Sequence, residues 1–300
     1  MNALHSFWFK PFLETQGSRS LGGFSAPRYF WYSWVLSFNT IYNRYPKTIL
    51  VTDKFGRAEV ERLGLPYDEI HSDLEELQIR PGFWNAGKFL AYAIQKEPFF
   101  HLDIDAFMWN VLPERLLQAS VFGQSVEREE KHRIYYRDAL KVVRSRIPDL
   151  PARWGTLNSE YTNGYALNCG IFGGTNLPLI QEYANEALDF MNAPRYAALW
   201  QELASRTALP TGGGMGIVEG CAMVFEQLGI VLRCEEAGIT PQVLIEQPLP
   251  DDSYPPELGY THLISVSKRL PLYLNALEAR IARDLPNYKQ LIDQIYGSQG

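Results

Sequence analysis

Two carboxylates stand two residues apart at the end of an apolar segment, in the run His101-Leu-Asp103-Ile-Asp105. If the extended backbone persists, residues i and i+2 of a strand point to the same face, so both carboxylates face one point in space. Two carboxylates this close repel each other, and a hard divalent cation such as Mg²⁺ or Mn²⁺ relieves the repulsion while keeping positions open for phosphate. The alternative is a pair of aspartates that form a turn or cap a helix.

Other residues of suitable chemistry follow later in the chain. Asn168 and Gly170 interrupt an apolar run, and a glycine within a strand often marks close approach of a ligand, although a β-bulge is the alternative. His262 could ligate a metal or could be a structural histidine. Lys268, six residues later, could bind phosphate or could simply be solvated. Taken alone, each of these positions is therefore compatible with both a functional and a structural role.

Several common motifs are excluded. The glycine run at residues 212–216 resembles a dinucleotide-binding loop only superficially, because Glu219 stands where the third glycine belongs. These glycines could let a loop close over a substrate or could form an ordinary flexible connector, and we favour the connector. The sequence also contains no phosphate-binding P-loop, no Gly-x-Ser-x-Gly elbow and no His-Glu-x-x-His helix, which removes the main support for P-loop, serine hydrolase and zincin functions.

The elements that must position these residues alternate between strands and helices. This alternation over the first hundred residues predicts an α/β fold with a mixed, mostly parallel central sheet flanked by helices. We predict one domain over residues 1–270 and a C-terminal helical extension over 271–300, which packs on that domain or forms a homodimer contact. The predicted strands cover residues 3–9, 48–52, 68–71, 99–105 and 165–172. The predicted helices cover residues 29–42, 56–63, 84–95, 127–146, 176–190, 219–228 and 274–295.

Composition narrows the class of protein. The 300 residues are 46% hydrophobic and 21% charged, which is typical of a soluble globular chain. A formal net charge of −6 provides no general positive field for nucleic acid. The three cysteines are odd in number and lack zinc-site spacing, which indicates buried thiols in a reducing compartment. With no signal-peptide pattern and no long apolar window, we predict a cytoplasmic protein without a transmembrane segment.

Taken in chain order, these residues resemble the GT-A fold glycosyltransferases, the nucleotide-sugar-dependent class with an Asp-x-Asp metal motif and a Rossmann-like domain. Over residues 1–270 the succession is similar to that of family 8-type enzymes, which are glycogenin-like and galactosyltransferase-like. The residues that carry the resemblance, in order, are Asp53, Lys88, Asp103, Asp105, Asn168, Gly170, Glu219, His262 and Lys268.

The resemblance implies a metal centre. Asp103 and Asp105 would hold Mn²⁺ or Mg²⁺ against the donor diphosphate, and His262 would complete the metal shell from a late loop. Lys268 would neutralise the leaving diphosphate. The chain differs from the family in that Leu263 follows His262 where the family has glycine.

It also implies contacts to the donor and to the acceptor. Lys88 would contact the donor sugar or its phosphate, and Asn168 and Gly170 would line the sugar pocket. Glu219 would lie near the acceptor as a base, as an orienting group or as neither. The family commonly has glutamine after this acidic residue, whereas Gly220 follows here.

The nucleoside pocket would be shaped by the end of the first strand and by the residue after the second. The residues implied are Ser6, Trp8 and Asp53.

The implied function is transfer of a hexose from a nucleotide-sugar to an acceptor hydroxyl, with UDP favoured by the family 8 resemblance. In this reaction Asp105 would be essential as a metal ligand. Two other classes stay open: a metal-dependent phosphohydrolase and a noncatalytic nucleotide-sugar-binding protein. A glycosidase is disfavoured. Its two carboxylates must lie on opposite sides of a sugar, about 5–9.5 Å apart, and neighbouring aspartates on one face do not offer this arrangement.

Overall fold

The computed structural model describes residues 1–14, 22–80, 82–128, 130–158, 161, 164–205, 216–247 and 256–297. The chain divides into two compact units that interleave along the sequence. The first unit comprises Met1–Glu76, Phe99–Pro113 and Pro248–Gly300, and the second comprises Leu77–Pro98 and Glu114–Gln247.

The strands of the described residues are short. They are β1 Asn2–Phe7, β2 Thr48–Thr52, β3 Glu69–His71, β4 Phe99–Leu102, β5 Ala106–Met108, β6 Phe122–Gly123, β7 Val126–Glu127, β8 Ala166–Leu167, β9 Ile171–Gly174, β10 Gln242–Val243 and β11 Tyr260–His262.

The α-helices of the described residues lie between these strands and at the C-terminal end. They are α1 Lys10–Glu14, α2 Pro27–Ile41, α3 Lys54–Leu63, α4 Ala86–Ala93, α5 Glu114–Leu117, α6 Glu130–Arg146, α7 Leu177–Asn192, α8 Ala197–Ala204, α9 Ile217–Met223, α10 Gly229–Glu236, α11 Pro271–Asp284 and α12 Pro286–Tyr296.

The first unit is built on a parallel sheet in the order β4, β1, β2, β3. Leu4 of β1 pairs with Ile49 on one side and with His101 on the other. All five residues of β2 are buried, and such continuous burial is typical of strands in parallel sheets. The predicted α/β class, with a mostly parallel sheet and flanking helices, is confirmed.

Helix α2 lies at the centre of the first unit's core. Pro27 is at its first turn, where the missing N–H costs nothing. Its aromatic side chains stack on the segment after β1, with Trp31 and Trp34 each about parallel to Phe9 at ring-centroid distances of 5.8 and 5.7 Å. Helices α11 and α12 both pack against α2. The core therefore joins the beginning of the chain to its end.

The C-terminal region forms two helices, so the single helix predicted over residues 274–295 is wrong. Helix α11 ends at Asp284 and α12 begins at Pro286. A proline lacks the N–H of a helical hydrogen bond and pushes the preceding residue out of the helical region. Leu285 accordingly has φ −139° and ψ 54°. The boundary predicted at residue 270 stays a prediction.

The second unit combines short strands with packed helices. Strand β6 pairs with β10 in parallel and with β9 antiparallel. Helices α4 and α7 pack together, and the rings of Phe89 and Tyr183 meet edge to face at 5.5 Å.

The helix predicted over residues 127–146 is present as α6, Glu130–Arg146, and it is amphipathic. Helix α6 buries Tyr136, Ala139, Leu140 and Val143. These positions recur at helical spacing on one face. The charged residues between them hid this apolar stripe in the sequence.

None of the helices in the described ranges has the length and apolar character needed to cross a bilayer. The glycines at 212–214 lie outside the described residues.

Candidate metal centre

Asp103 and Asp105 lie in a tight turn of the first unit. Strand β4 ends at Leu102 and β5 begins at Ala106, and the Asp103 carbonyl accepts a hydrogen bond from the Ala106 N–H at 2.9 Å. The prediction that an extended strand continues to Asp105 is therefore wrong. The carboxylates are brought together by a turn between two strands and not by the period of one strand.

His262 reaches this turn through strand pairing. Strand β11 runs antiparallel to β5, with His262 opposite Ala106, and the Leu263 N–H donates to the Asp105 carbonyl at 2.9 Å. One ligand atom from each of Asp103, Asp105 and His262 lies within 4.8 Å of the others. Their side chains are 18%, 10% and 10% exposed respectively, so the cluster is sheltered but reachable.

Asp105 is the electrostatic centre of the cluster. Its Oδ1 lies 3.2 Å from Nε2 of His262, and its Oδ2 contacts the ammonium of Lys268. Burial alone would raise the pKa of the Asp105 carboxyl, but the ammonium of Lys268 and the adjacent imidazole of His262 outweigh burial and hold this pKa well below its usual range. Asp105 is therefore ionised at neutral pH, as a metal ligand must be.

Besides its contact with Asp105, Lys268 donates a hydrogen bond to a glycine turn, as does the neighbouring Arg269. Lys268 Nζ donates to the Gly22 carbonyl at 3.0 Å, and Arg269 Nε donates to the Gly23 carbonyl at 3.1 Å. Gly22 and Gly23 have φ values of +61° and +90°, which side-chain-bearing residues rarely adopt. A glycine turn thus presents two carbonyls to the basic end of the 3₁₀ helix Ser265–Lys268.

The donor set of this cluster fits a divalent cation. Carboxylates suit Mg²⁺ and Mn²⁺, and an imidazole beside two carboxylates suits a first-row transition metal such as Mn²⁺. Three protein ligands leave coordination positions for oxygens of a substrate. Asp103, Asp105 and His262 could therefore hold a divalent cation.

Polar side chains support the turn from within the first unit. Ser33 of α2 donates to the Ile104 carbonyl at 3.0 Å, and Ser37 donates to the Asp103 carbonyl at 3.2 Å. His101 is fully buried, with Nδ1 at 3.6 Å from the Asp103 carboxylate. Sequence reasoning missed these residues, although two serines at i and i+4 in an apolar helix are a signal that could have indicated them.

The residues predicted for the nucleoside pocket are also in the first unit, and each is buried. Ser6 Oγ lies 2.9 Å from Nε2 of His101. The Asp53 carboxylate accepts from the backbone N–H groups of Gly56, Phe9 and Lys10 at 2.9, 2.8 and 3.0 Å.

Asp53 thus caps α3 and ties this helix to the segment after β1. Nucleoside contacts by Ser6, Trp8 and Asp53 stay predictions.

Lys88 lies in the second unit and is engaged in a buried ion pair. Its Nζ lies 2.9 Å from Oε1 of Glu226, whose side chain is 2% exposed. Asn85 Nδ2 donates to Oε2 of Glu226 at 2.9 Å, and the Glu226 carbonyl accepts from Tyr183 Oη at 2.7 Å.

Glu226 was missed from the sequence, although it offers a signal. It lies in a π-helical turn, Val224–Leu228, and such turns occur frequently at functional sites. Gln227 follows it directly, so an acidic residue followed by glutamine does occur, seven residues after the position predicted.

Asn168 and Gly170 form a turn in the second unit. The segment predicted as one strand over residues 165–172 is divided into β8 and β9. Asn168 Oδ1 accepts from the Gly170 N–H at 3.0 Å, and its Nδ2 donates to Glu127 Oε1 at 2.8 Å. The side-chain amide competes with the strand ladder and ends β8.

Glu219 caps helix α9. Its Oε2 accepts from the Gly216 N–H at 2.7 Å, which is the carboxylate half of a capping box. The structure therefore gives Glu219 a structural contact, and its predicted place near the acceptor stays a prediction.

Residues 1–295 match the family described as "Family of unknown function (DUF6734)". The chain belongs to this family. No curated protein matches the chain.

Among solved structures, mouse xyloside xylosyltransferase 1 in its apo form is similar, with a TM-score of 0.34, 13% identity, and coverage of 77% of this chain and 84% of that one. The inositol-1-phosphate CTP transferase from T. maritima is similar with a TM-score of 0.37, 12% identity, and coverage of 94% and 96%. At these scores neither structure carries an argument about the activity of this family member.

Proposed function

We propose that this protein is a divalent-metal-dependent glycosyltransferase of the GT-A type, which transfers a hexose from a nucleotide-sugar, UDP-hexose, to an acceptor hydroxyl. One observation supports this proposal above the others. Asp103, Asp105, His262 and Lys268 come from distant parts of the sequence and meet in one cluster of two carboxylates, an imidazole and an ammonium. A cation site with an adjacent positive charge is a combination that stabilises a departing nucleoside diphosphate.

The chemistry separates the sugar from the diphosphate, and negative charge grows on the leaving oxygen. A divalent cation, when bound, supplies Lewis-acid stabilisation of that charge. Asp103, Asp105 and His262 hold the cation, with Asp105 kept ionised by its neighbours. Lys268 lies against Asp105 and adds a fixed positive charge, which stabilises the departing diphosphate without reorganisation.

The remaining predicted contacts belong to the same proposal. Lys88, Asn168 and Gly170 bind the donor sugar, and Ser6, Trp8 and Asp53 shape the nucleoside pocket. Glu219 acts near the acceptor. Variants at these positions are expected to change the KM for the donor or the turnover number.

The test measures UDP release from UDP-hexose with Mn²⁺ for the parent and for Asp105→Asn. We expect metal-dependent UDP release by the parent and a loss of at least about 100-fold in the variant, since the lost ligand carries the charge stabilisation. Asp73→Asn, which changes an exposed carboxylate (48% exposed) of the first unit, is the matched control and should keep parental activity.

The same samples separate the other two classes. A phosphohydrolase would release inorganic phosphate from p-nitrophenyl phosphate, with Mn²⁺ and without any sugar donor. A binding protein would bind UDP-hexose and release no UDP with any acceptor. Either result, in a folded parent, would contradict the transferase proposal.

A further inference from the structure

A chain of hydrogen bonds between buried side chains runs behind the turn that carries the two aspartates. Trp34 Nε1 donates to Tyr67 Oη at 2.9 Å, and Tyr67 Oη lies 2.5 Å from Nδ1 of His5. Nε2 of His5 lies 3.1 Å from Ser37 Oγ, which donates to the Asp103 carbonyl at 3.2 Å. This series of hydrogen bonds therefore ends at the backbone carbonyl of Asp103, a proposed metal ligand.

Only one arrangement of protons satisfies this chain. A carbonyl oxygen can only accept, so Ser37 gives its single hydroxyl proton to the Asp103 carbonyl and must itself accept from Nε2–H of His5. Full burial keeps His5 neutral, with its pKa lowered to about 3, so Nδ1 carries no proton and is an acceptor. Tyr67 therefore donates its proton to Nδ1 of His5 and accepts from the Trp34 N–H.

Helix α2 also holds the neighbouring peptide of the turn. Ser33, one helical turn before Ser37, donates to the Ile104 carbonyl at 3.0 Å. Two successive carbonyls of the turn are thus fixed by hydroxyls of one buried helix face, and the backbone that carries the Asp103 carboxylate has little freedom to move. Metal ligands need this kind of support, because affinity depends on ligand atoms held within fractions of an ångström.

We propose that Ser37 is a positioning residue for the metal centre, held in its donor orientation by the chain from Trp34 through Tyr67 and His5. This inference rests on the proposed function, because it requires Asp103 to bind a cation. Ser37 itself touches neither the metal nor the substrate.

The first experiment measures the dissociation constant for Mn²⁺ on the full chain, by the electron paramagnetic resonance signal of free Mn²⁺. Ser37→Ala should bind Mn²⁺ about tenfold more weakly than the parent, at the low end of the range for residues that support metal ligands. Val35→Ala is the matched control. Val35 is a fully buried residue of the same helix with an apolar side chain, so this variant should lose stability and keep the parental dissociation constant.

The second experiment determines the tautomer of His5 directly, by ¹⁵N NMR of labelled histidine in the parent. The His5 signals are assigned by their loss in His5→Gln. We expect the tautomer protonated at Nε2. In Tyr67→Phe the donor to Nδ1 is removed, so the two tautomers should mix. This readout does not depend on any metal.

The outcomes separate the inference from the proposed function. If the parent binds Mn²⁺ and Ser37→Ala binds it equally well, or if His5 is protonated at Nδ1 in the parent, the positioning role is wrong. If the folded parent binds no Mn²⁺, the proposed function fails and the positioning role fails with it, while the His5 spectrum still decides whether the hydrogen-bond chain exists.

Discussion

The imidazole of His5 makes the stability of the fold depend on pH. Burial lowers the pKa of His5 from 6.5 to about 3. Between these two values the unfolded chain binds a proton that the folded chain does not bind. Stability therefore rises with pH across this window, is complete above it and is lost as the pH falls through it.

We expect the free energy of unfolding of the parent to fall by up to about 1.4 kcal/mol per pH unit between about pH 6 and pH 5, relative to His5→Gln. Urea unfolding at each pH measures the difference. The variant will be less stable at neutral pH, because its buried partners lose hydrogen bonds, but its pH dependence should be shallower. Equal slopes for the two proteins would show that His5 is already protonated in the fold.

The Asp53 carboxylate also contributes to the stability of the fold. It accepts three backbone N–H groups, from Gly56, Phe9 and Lys10. Asp53→Ala removes the cap of α3 and leaves two further backbone donors, one buried and one part-buried, without this acceptor, so we expect a loss of about 2–4 kcal/mol. Urea unfolding measures this loss, and Asp73→Ala, at an exposed position, should cost almost nothing. A parental stability for Asp53→Ala would contradict the capping role.

The candidate site shows which residues a sequence can indicate. Asp103 and Asp105 were indicated by residue type and spacing, and His262 and Lys268 by the resemblance to family 8-type enzymes, because metal ligands and phosphate contacts draw on few residue types. Glu226 was missed, although Gln227 follows it, because the acidic residue of the family pattern was assigned to Glu219, seven residues earlier.

Among elements, long apolar runs were predicted best. Strand β2 and helix α2 were predicted within two residues of their ends, because burial on nearly all sides leaves an unbroken apolar segment. The turn at residues 103–105 was predicted only as the alternative to an extended strand, because an aspartate pair after a strand is compatible with both extended and turned backbone. The backbone conformation of this turn is set by the pairing of β5 with β11. These strands lie far apart in the sequence, so the residues around the turn do not reveal the pairing.

Helix α3 offers a clean test of a helix end. It stops at Gly64, whose φ is +68°, and a Cβ added there would meet no atom within 4 Å. Gly64→Ala therefore costs only the backbone strain of a left-handed conformation, and we expect a loss of about 1 kcal/mol.

Gly155→Ala is the matched control for this prediction. Its added Cβ also meets no atom within 4 Å, and Gly155 is not in the left-handed region. This variant should be neutral or slightly more stable, because alanine restricts the unfolded chain. Equal losses of stability at the two sites, measured by urea unfolding, would contradict the account of the α3 end.

At the scale of the whole molecule, both compact units are assembled from separated segments. The last segment of the first unit follows the second unit in the sequence. This segment contributes core residues from α11 and α12, namely Leu274, Leu277, Ile281, Ile292 and Tyr296. Strand and helix types were predictable from the sequence, whereas this interleaving was not, because it depends on contacts between distant segments.

A chain that ends at residue 270 tests the predicted domain boundary. It would expose the face of α2 that α11 and α12 cover, including Trp31, whose ring stacks on Tyr296 at 5.3 Å. Each large apolar side chain returned to water costs about 1.5–3 kcal/mol, and the set approaches the whole stability of a typical domain. We expect no cooperative thermal transition for this chain, while a control that ends at Gly297 should unfold like the parent. A cooperative transition near the parental midpoint would show that residues 1–270 are a domain on their own.

The most direct test of the central claim is thermal unfolding of the parent and of Asp103→Asn/Asp105→Asn, with and without Mn²⁺ and UDP. A ligand at about 100 times its Kd stabilises by about 2.7 kcal/mol, which raises the midpoint by about 5–10 °C for a domain near this size. We expect a rise that requires Mn²⁺ and UDP together and that is lost in the double variant. A folded parent whose midpoint moves with neither Mn²⁺ nor the pair would contradict the proposed metal centre and the transferase function built on it.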